Sequence, residues 1–431
     1  MRILFLNDLS DPRIGSSIRQ MYQEATCLRG LGHETALVTA VQSPSEASRE
    51  WGSIEGCATW KIHSDYNLRF RSFRSLDNPA VTAPLARVLA EFKPDVVHSH
   101  LLHTHLSYAA LGQARAAGAG VVFTAHDVMT FCYQKLTCFH GGAENGGLLR
   151  DYRADWQKCI PCQRLRYNPW RNASIRAVLE RDVDRFTVVS DELGLAIRSN
   201  GIRVDRTIHN AIQRQPTLPS AAAVESFRRK FGLAGRQVIA MAGRLHEQKG
   251  VAQLFAVLAE LGGQFPDLRL IVMGKREAYE NEFRALALAA GVSDRIVPTG
   301  WLDGEELACA YAATDVFVTP SICFDTFGLV NLEAMEHSKP VVATTFGGSR
   351  EVVEHGVTGF IANPFDVAEF AGFVARLLSD SSLAARLGRA GRRRLEHKFS
   401  IERLTAEFLE EYESARGSAA MRSGIRDPIR G

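Results

Sequence analysis

Apolar residues along this chain fall into two alternating patterns. Short continuous runs rich in Val, Ile and Phe, too short for helices, are separated by longer stretches in which apolar residues recur every three or four positions. That alternation predicts parallel strands joined by crossover helices, and the short unbroken runs suit strands buried on both faces. In the first half, strands are predicted at 3–6, 35–39, 96–98, 121–124 and 186–189. A first helix starts at Ser16 or Ser17, places Ile18, Met21, Ala25 and Leu28 on one face, and stops at Gly30 and Gly32. A second series of strands is predicted at 238–241, 270–273, 295–297, 316–318 and 341–343. Between the two series, residues 213–223 are polar and carry Pro216 and Pro219, which marks a linker.

The expected fold class is therefore α/β, with two doubly wound Rossmann-like domains and a cleft between them. The expected boundaries are 1–212 and 224–395, followed by a helix at 396–415 packing back toward the N-terminal domain. Residues 416–431 mix Gly, Ser and Arg without periodicity and read as a mobile tail. A length of 431 residues supports two cores better than one. Hydrophobic residues at 46% and charged residues at 23% exclude general disorder, and a net charge of +3 gives no reason to expect a nucleic-acid partner. Residues 1–6 run straight into Asn7 and Asp8 with no small-residue cleavage site, so they read as a buried strand and not an export signal. No apolar run approaches the roughly 18 residues of a spanning helix, so any membrane contact is expected to be peripheral. The expected location is the cytoplasm, extending to the inner face of the cytoplasmic membrane. Without a secretion signal, the eight cysteines read as thiols or metal ligands before disulfides.

In open α/β sheets, ligands sit beyond the carboxyl ends of the strands, so loops leaving strands carry the candidate chemistry. After 238–241, Gly243 and Arg244 lead through a short loop to Lys249 and a helix with Val251, Leu254, Leu258 and Leu261 on one face. Two cations at a strand exit and a helix entrance suit a diphosphate, with Arg as a planar fork and Lys as a point charge. After 316–318, the stretch 319–335 contains Asp325, Gly328, Leu329, Val330 and Glu333. Gly328 permits close approach of a ligand, and the first-turn N–H groups from Gly328 to Val330 are free donors. Glu333, one turn further, suits vicinal hydroxyls such as those of ribose. The alternative is that Arg244 and Lys249 are ordinary surface cations, Asp325 only caps the helix and Glu333 is solvated.

Three elements resemble family 4 of the retaining glycosyltransferases, which have the GT-B fold. They are Gly-Arg-Leu with Lys-Gly at 243–250, Phe-Gly-Leu-Val with Leu-Glu-Ala-Met at 327–335, and Pro-Val-Val-Ala-Thr with Gly347 and Gly348 at 340–348. The resemblance implies that Arg244 and Lys249 hold the donor diphosphate, Glu333 the ribose, and backbone amides at Gly328 to Val330 the distal phosphate. The family usually has two glutamates eight positions apart; here the first is Asp325, one carbon–carbon bond shorter. In the N-terminal half, Gly15 and Ser16 offer backbone donors where relatives often have two glycines. His126, in Thr-Ala-His-Asp at 124–127, matches the family's histidine beside the donor sugar. The implied reaction is metal-independent hexosyl transfer with retention, from a UDP- or GDP-sugar to a glycan or lipid-linked acceptor hydroxyl, as in bacterial cell-surface glycan assembly. Catalytic contacts are expected from His126, Asp325, Arg244 and Lys249. A nucleotide-sugar epimerase or hydrolase, and a non-catalytic nucleotide-sugar binder, remain as rivals.

Three further features stand apart from the donor elements. His98, His100, His103 and His105 cluster at a strand end, where structural or acceptor-loop roles compete with a metal. An insertion near 128–170 carries Cys132, Cys138, Cys159 and Cys162, spaced for a structural zinc, with thiols or a disulfide as the alternative. Beside it, Arg164, Arg166, Arg171 and Arg176 interleave with Leu165, Tyr167, Trp170 and Ile175, which reads either as a surface for anionic headgroups or as a plain solvated helix.

Overall fold

The computed structural model describes residues 1–11, 15–47, 52–54 and 56–424. The chain forms two compact units: Met1–Leu136 with Tyr152–Ala211 and Ile401–Gly431, and Thr137–Asp151 with Ile212–Ser400.

The first unit holds strands β1 (Arg2–Leu6), β2 (Glu34–Val41), β3 (Gly52–Ile54), β4 (Cys57–His63), β5 (Val96–Ser99), β6 (Gly120–Ala125), β7 (Arg185–Val188) and β8 (Arg206–Thr207). Among the described residues they make one sheet in the order β3-β4-β2-β1-β5-β6-β7-β8, parallel except where β3 meets β4. The predicted strands match β1, β2, β5, β6 and β7. The continuous apolar runs are buried on both faces, as Ile3 to Leu6 and Val121 to Phe123 show. The first helix spans Ser16–Gly30 and buries Ile18, Met21, Ala25 and Leu28 against β1 and β2.

The second unit holds β9 (Val238–Ala242), β10 (Arg269–Met273), β11 (Ile296–Gly300), β12 (Val316–Thr319), β13 (Val341–Thr344) and β14 (Gly359–Ala362) in an all-parallel sheet ordered β11-β10-β9-β12-β13-β14. In both sheets the winding reverses beside the first strand, between β1 and β5 and between β9 and β12. Loops leaving those strands diverge, which opens a crevice at the carboxyl end of each sheet.

Three expectations are corrected. The linker is shorter than 213–223, because Ser220 accepts from Ala223 N at 3.2 Å and starts a helix at Ala221–Lys230. The insertion near 128–170 is not wholly N-terminal. Its residues Thr137–Asp151 belong to the second unit, where Phe139 packs edge-on against Phe324 and Phe346 and His140 stacks on Phe346. The tail begins later than 416, since one helix runs from Ile401 to Arg422 and buries Ala415 and Ala419. Residues 425–431 of that expected tail lie outside the described residues.

This last helix belongs to the first unit. Leu404, Phe408, Tyr412 and Ala415 enter the same core as Ile3, Phe5 and Val122, and each large apolar side chain so buried stabilises by about 1.5–3 kcal/mol. At Gly120 a Cβ would lie 2.6 Å from the Ala415 backbone, so helix and strand meet there without a side chain between them. Beneath, the Tyr412 hydroxyl bridges Glu24 Oε1 and His98 Nδ1, the latter at 2.7 Å. His98 Nε2 pairs with Thr124 Oγ1 at 2.7 Å, and Thr124 Oγ1 with Thr187 Oγ1 at 2.7 Å. Burial pushes the Glu24 carboxyl up to about 8 against the pull of Tyr412, and pushes His98 well below its ordinary value. Acid and imidazole, 3.9 Å apart, are thus both neutral and not an ion pair.

A folded-state pKa raised above the unfolded 4.5 means that Glu24 keeps a proton the unfolded chain loses, so its contribution to stability falls as pH rises from 4.5 toward 8. Urea unfolding at about pH 5 and about pH 8 should therefore show a smaller pH-dependent loss of stability in Glu24→Gln than in the parent chain. Parallel pH dependence in the two proteins would refute a neutral Glu24.

Candidate functional site

In the second unit the loops leaving β9 and β12 are stitched together. Gln248 O accepts from Ile322 N at 3.0 Å and Cys323 N at 3.1 Å. Gly250, at φ 73°, lies so close to Pro320 that a Cβ would stand 1.8 Å from its carbonyl oxygen. From the other side, Gly347, at φ 75°, would put a Cβ 2.1 Å from Asp325 O, and Gly348 N donates to that oxygen at 2.7 Å. The 320–325 loop is therefore held by backbone contacts on both flanks.

This stitching brings Lys249 Nζ to 3.5 Å from Asp325 Oδ2, an oxygen that also accepts from Ser321 Oγ at 3.2 Å. Burial by itself would depress the Lys249 ammonium; the Asp325 carboxylate and the Cys323 thiol outweigh it and hold the pKa above its ordinary value, while nearby Arg244 pulls it down. Arg244 is exposed, just after Gly243. The helix Leu329–Glu336 starts at Gly328, φ 81°, with no side-chain cap and no acid in its first turn. Its N-terminal amides at Leu329 and Val330 follow β12 in the same crevice, where the helix dipole favours an anion. A Cβ at 328 would strike Asn331 Nδ2 at 2.6 Å and Ser349 Oγ at 2.9 Å, two buried polar atoms with no partner among the described residues. Glu333 is half-buried, and its Oε2 accepts from Tyr311 OH at 2.6 Å, which fixes the carboxylate's rotamer. Arg244, Lys249, Asp325, the Gly328 helix entrance and Glu333 are thus all placed at or beside one switch point.

In the first unit, His126 follows β6 and is buried. Its Nε2 lies 2.7 Å from His100 Nδ1, and its Nδ1 has no partner among the described residues. Burial lowers its pKa to about 4, with Asp127 opposing and His103 adding, so the imidazole is neutral near pH 7. A neutral ring with one nitrogen tied and the other unengaged can give or take one hydrogen bond from a ligand. Asp127 is opposed by burial, but the His103 ring at 3.1 Å and Met129 N hold it well below the usual carboxylate range. Gly15 is the N-cap of the Ser16–Gly30 helix, and its carbonyl accepts from Ile18 N and Arg19 N. Ser16 opens that helix, and its side chain lies outside the described residues.

The four clustered histidines do not share one centre. His105 pairs with Ser64 at 3.0 Å, and His103 with Tyr108 at 2.8 Å and with Asp127. Ligand atoms of Glu24, His98 and His100 lie within 4.8 Å of one another, but both His98 nitrogens already have protein partners. That favours a hydrogen-bonded core over a metal. Of the four insertion cysteines, Cys132 and Cys159 are half-buried, Cys138 and Cys162 are exposed, and none is in a disulfide.

Sequence reading missed the groups that hold these residues in place. Asp8 accepts from the backbone N–H groups of Thr104, His105 and Leu106 at 2.7–2.9 Å and so anchors the loop carrying His103. Its place at the end of β1, at the switch point, was the available signal. Tyr311 and Ser321, which orient Glu333 and Asp325, gave none.

The close approach at Gly250 makes a test of the stitching. Gly250→Ala is expected to destabilise the protein by about 2–4 kcal/mol, since backbone must move. Gly243→Ala meets open space and carries only the strain of φ 113°, about 1–2 kcal/mol. Equal urea midpoints for the two variants would contradict the packing.

Comparison with known proteins follows the same division of the chain. Residues 16–211 match the family model described as Glycosyl transferase 4-like domain, and residues 224–394 the model described as Glycosyl transferases group 1. The chain is 31% identical over 249 residues to a 2-deoxystreptamine glucosyltransferase of Streptomyces kanamyceticus, covering 57% of this chain and 62% of that protein. It is 34% identical over 180 residues to a GDP-mannose-dependent α-(1-6)-phosphatidylinositol monomannoside mannosyltransferase of Mycolicibacterium smegmatis, covering 40% and 47%. The chain thus matches these curated relatives over only about half to three fifths of their length. In fold it is similar to sucrose-phosphate synthase from Thermosynechococcus elongatus, with TM-score 0.75, 22% identity and coverage of 97% and 99%. It is also similar to Anabaena Alr3699/HepE solved with UDP-glucose, with TM-score 0.71, 19% identity and coverage of 96% and 100%. With both sheets doubly wound and both halves matched, the chain belongs to the group 1, family 4 glycosyltransferases and has their two-domain GT-B fold.

Proposed function

We propose that this protein transfers a hexose-type sugar from a nucleoside-diphosphate donor to a hydroxyl of a glycan or lipid-linked acceptor, with retention at the anomeric carbon and without a catalytic metal. The observation that carries the reading is the convergence of Lys249, Arg244 and the uncapped Gly328 helix entrance at the β9/β12 switch point, with Glu333 one turn further along the helix. Two cations and free amides suit a diphosphate, and a rotamer-fixed carboxylate suits the vicinal hydroxyls of ribose.

When the glycosidic bond to the diphosphate breaks, negative charge grows on the leaving oxygen. Arg244, Lys249 and the amides of Leu329 and Val330 would then bind the transition state more strongly than the ground state. Asp325 has two tasks in this reading: it holds Lys249 in place and offers its carboxylate to donor-sugar hydroxyls. Its short side chain bears on which sugar is accepted. His126, a neutral imidazole with its Nδ1 unengaged among the described residues, is kept as the first unit's candidate catalytic contact. The acceptor hydroxyl attacks from the face the diphosphate leaves. Both UDP- and GDP-sugars are kept as donors, because relatives and structural neighbours are named with one or the other.

The same proposal includes peripheral contact with the inner face of the cytoplasmic membrane and a part in bacterial surface-glycan assembly. Among the described residues, no helix is long and apolar enough to cross a membrane.

A panel of nucleotide sugars screened by thermal shift identifies the donor, and transfer is then followed with and without acceptor. Lys249→Ala and Glu333→Ala should each lower transfer by about a hundredfold or more while the protein stays folded. Parental rates in both variants, or sugar release that ignores the acceptor, would overturn the proposal.

A further inference from the structure

Two segments of the first unit carry all their charge as cations. Residues 68–74 hold three arginines, residues 156–176 hold one lysine and four arginines, and neither contains an acid. They are far apart in the chain yet joined in the fold: Ser72 Oγ donates to Arg166 O at 3.0 Å, and Asn168 Nδ2 donates to Ser72 O at 3.0 Å. Tyr133 underlies both, accepting from Arg71 at its carbonyl at 2.6 Å, donating to Asn168 O, and meeting the Tyr167 ring at 5.8 Å.

On this continuous support the large apolar side chains point outward. Phe70 and Phe73 are half exposed, Trp156 and Trp170 are 64% and 74% exposed, and Leu165 is fully exposed between exposed Arg164 and Arg166. Arg69 lies over the Phe70 ring at 5.3 Å, and Arg74 is exposed beside Phe73. A single exposed leucine means little, but a cluster of aromatic and aliphatic side chains ringed by cations is a costly surface to leave in water. The core of unit 1 does not use these side chains, since each element's other residues fill it: Ser72, Asn168, Arg171 and Ile175 are buried.

We infer that this surface docks on a bilayer carrying anionic headgroups. The inference deepens the acceptor part of the proposed function and rests on it for its purpose, since a lipid-linked acceptor is met at such a surface. Trp and Phe favour the interface between headgroups and acyl chains, the exposed Leu165 adds an aliphatic group, and the exposed Arg69, Arg74, Arg164 and Arg166 meet lipid phosphates, while Arg171 is buried. Charge complementarity selects an anionic membrane over a neutral one. Nucleic acid would suit the cations and the aromatic rings, but not Leu165 at full exposure or the exposed Ile160.

The test uses the full chain and co-sedimentation with vesicles of phosphatidylcholine, or of phosphatidylcholine mixed with phosphatidylglycerol. The parent protein should partition onto the mixed vesicles, bind pure phosphatidylcholine weakly, and show a blue shift of tryptophan emission on binding. Two double variants at exposed positions separate the contributions: Leu165→Ser with Trp170→Ser, and Arg164→Glu with Arg166→Glu. Each should lower the partition coefficient about tenfold or more. Leu286→Ser with Leu288→Ser, exposed in the second unit, should leave it unchanged. Failure to sediment, equal binding to neutral vesicles, parental binding by both double variants, or binding to single-stranded RNA in place of vesicles would overturn the inference. Partitioning needs neither donor nor turnover, so its failure is separate from failure of the transferase reading, which Lys249→Ala tests.

Discussion

The loop 320–325 is flanked by two glycines at which a side chain has no room: at 250 a Cβ would collide with Pro320 O, and at 347 with Asp325 O. Everything assigned to the second unit's site follows from that double contact. It fixes the distance between Lys249 and Asp325, it sets where the chain turns at Gly328 into its helix, and through the helix it sets the height of Glu333. The contact is made by backbone, and the Thr344 hydroxyl adds a hydrogen bond to Ser321 O at 2.8 Å. The side chains then only have to be chosen for charge and reach.

In the first unit the governing constraint is dryness. Burial holds Glu24, His98, His100 and His126 in their uncharged forms, and hydrogen bonds distribute the few available protons. Tyr412 ties the last helix to Glu24 in the first helix and to His98 in the sheet, so the unit's C-terminal element is part of the same core that supports His100 and His126. A neutral His126 suits a role in orienting a ligand better than one in carrying charge. The two units thus work by different physics: one concentrates charge on an exposed crevice, the other suppresses it in a buried one.

Much of this architecture was legible in the order of residues. Continuous apolar runs gave the central strands because a strand buried on both faces has no polar position to interrupt it. Strands β4 and β14 escaped, the first because Lys61 and His63 interrupt its pattern at a less central place, the second because Gly359 and Ala362 leave only Phe360 and Ile361 as large apolar residues. Arg244, Lys249, Gly328 and Glu333 were legible because strand exits and helix entrances are marked locally. Asp8, Tyr311 and Ser321 were not, since what they do depends on loops they meet only after folding.

The sequence by itself determined the local matters: the alternation of strand and helix, the two-sheet class, the positions where ligands would be met, and the residue types that would meet them. Periodicity and turn chemistry act over a few residues, so they can be read along the chain. Only the tertiary structure decided that residues 137–151 join the second unit, that the last helix is a core element as far as Ala419, that Glu24 meets Tyr412 across 388 positions, and that the arginines of 68–74 and 156–176 share one surface. Such pairings depend on which distant segments arrive at the same place. Packing of whole elements settles that, and no local pattern records it.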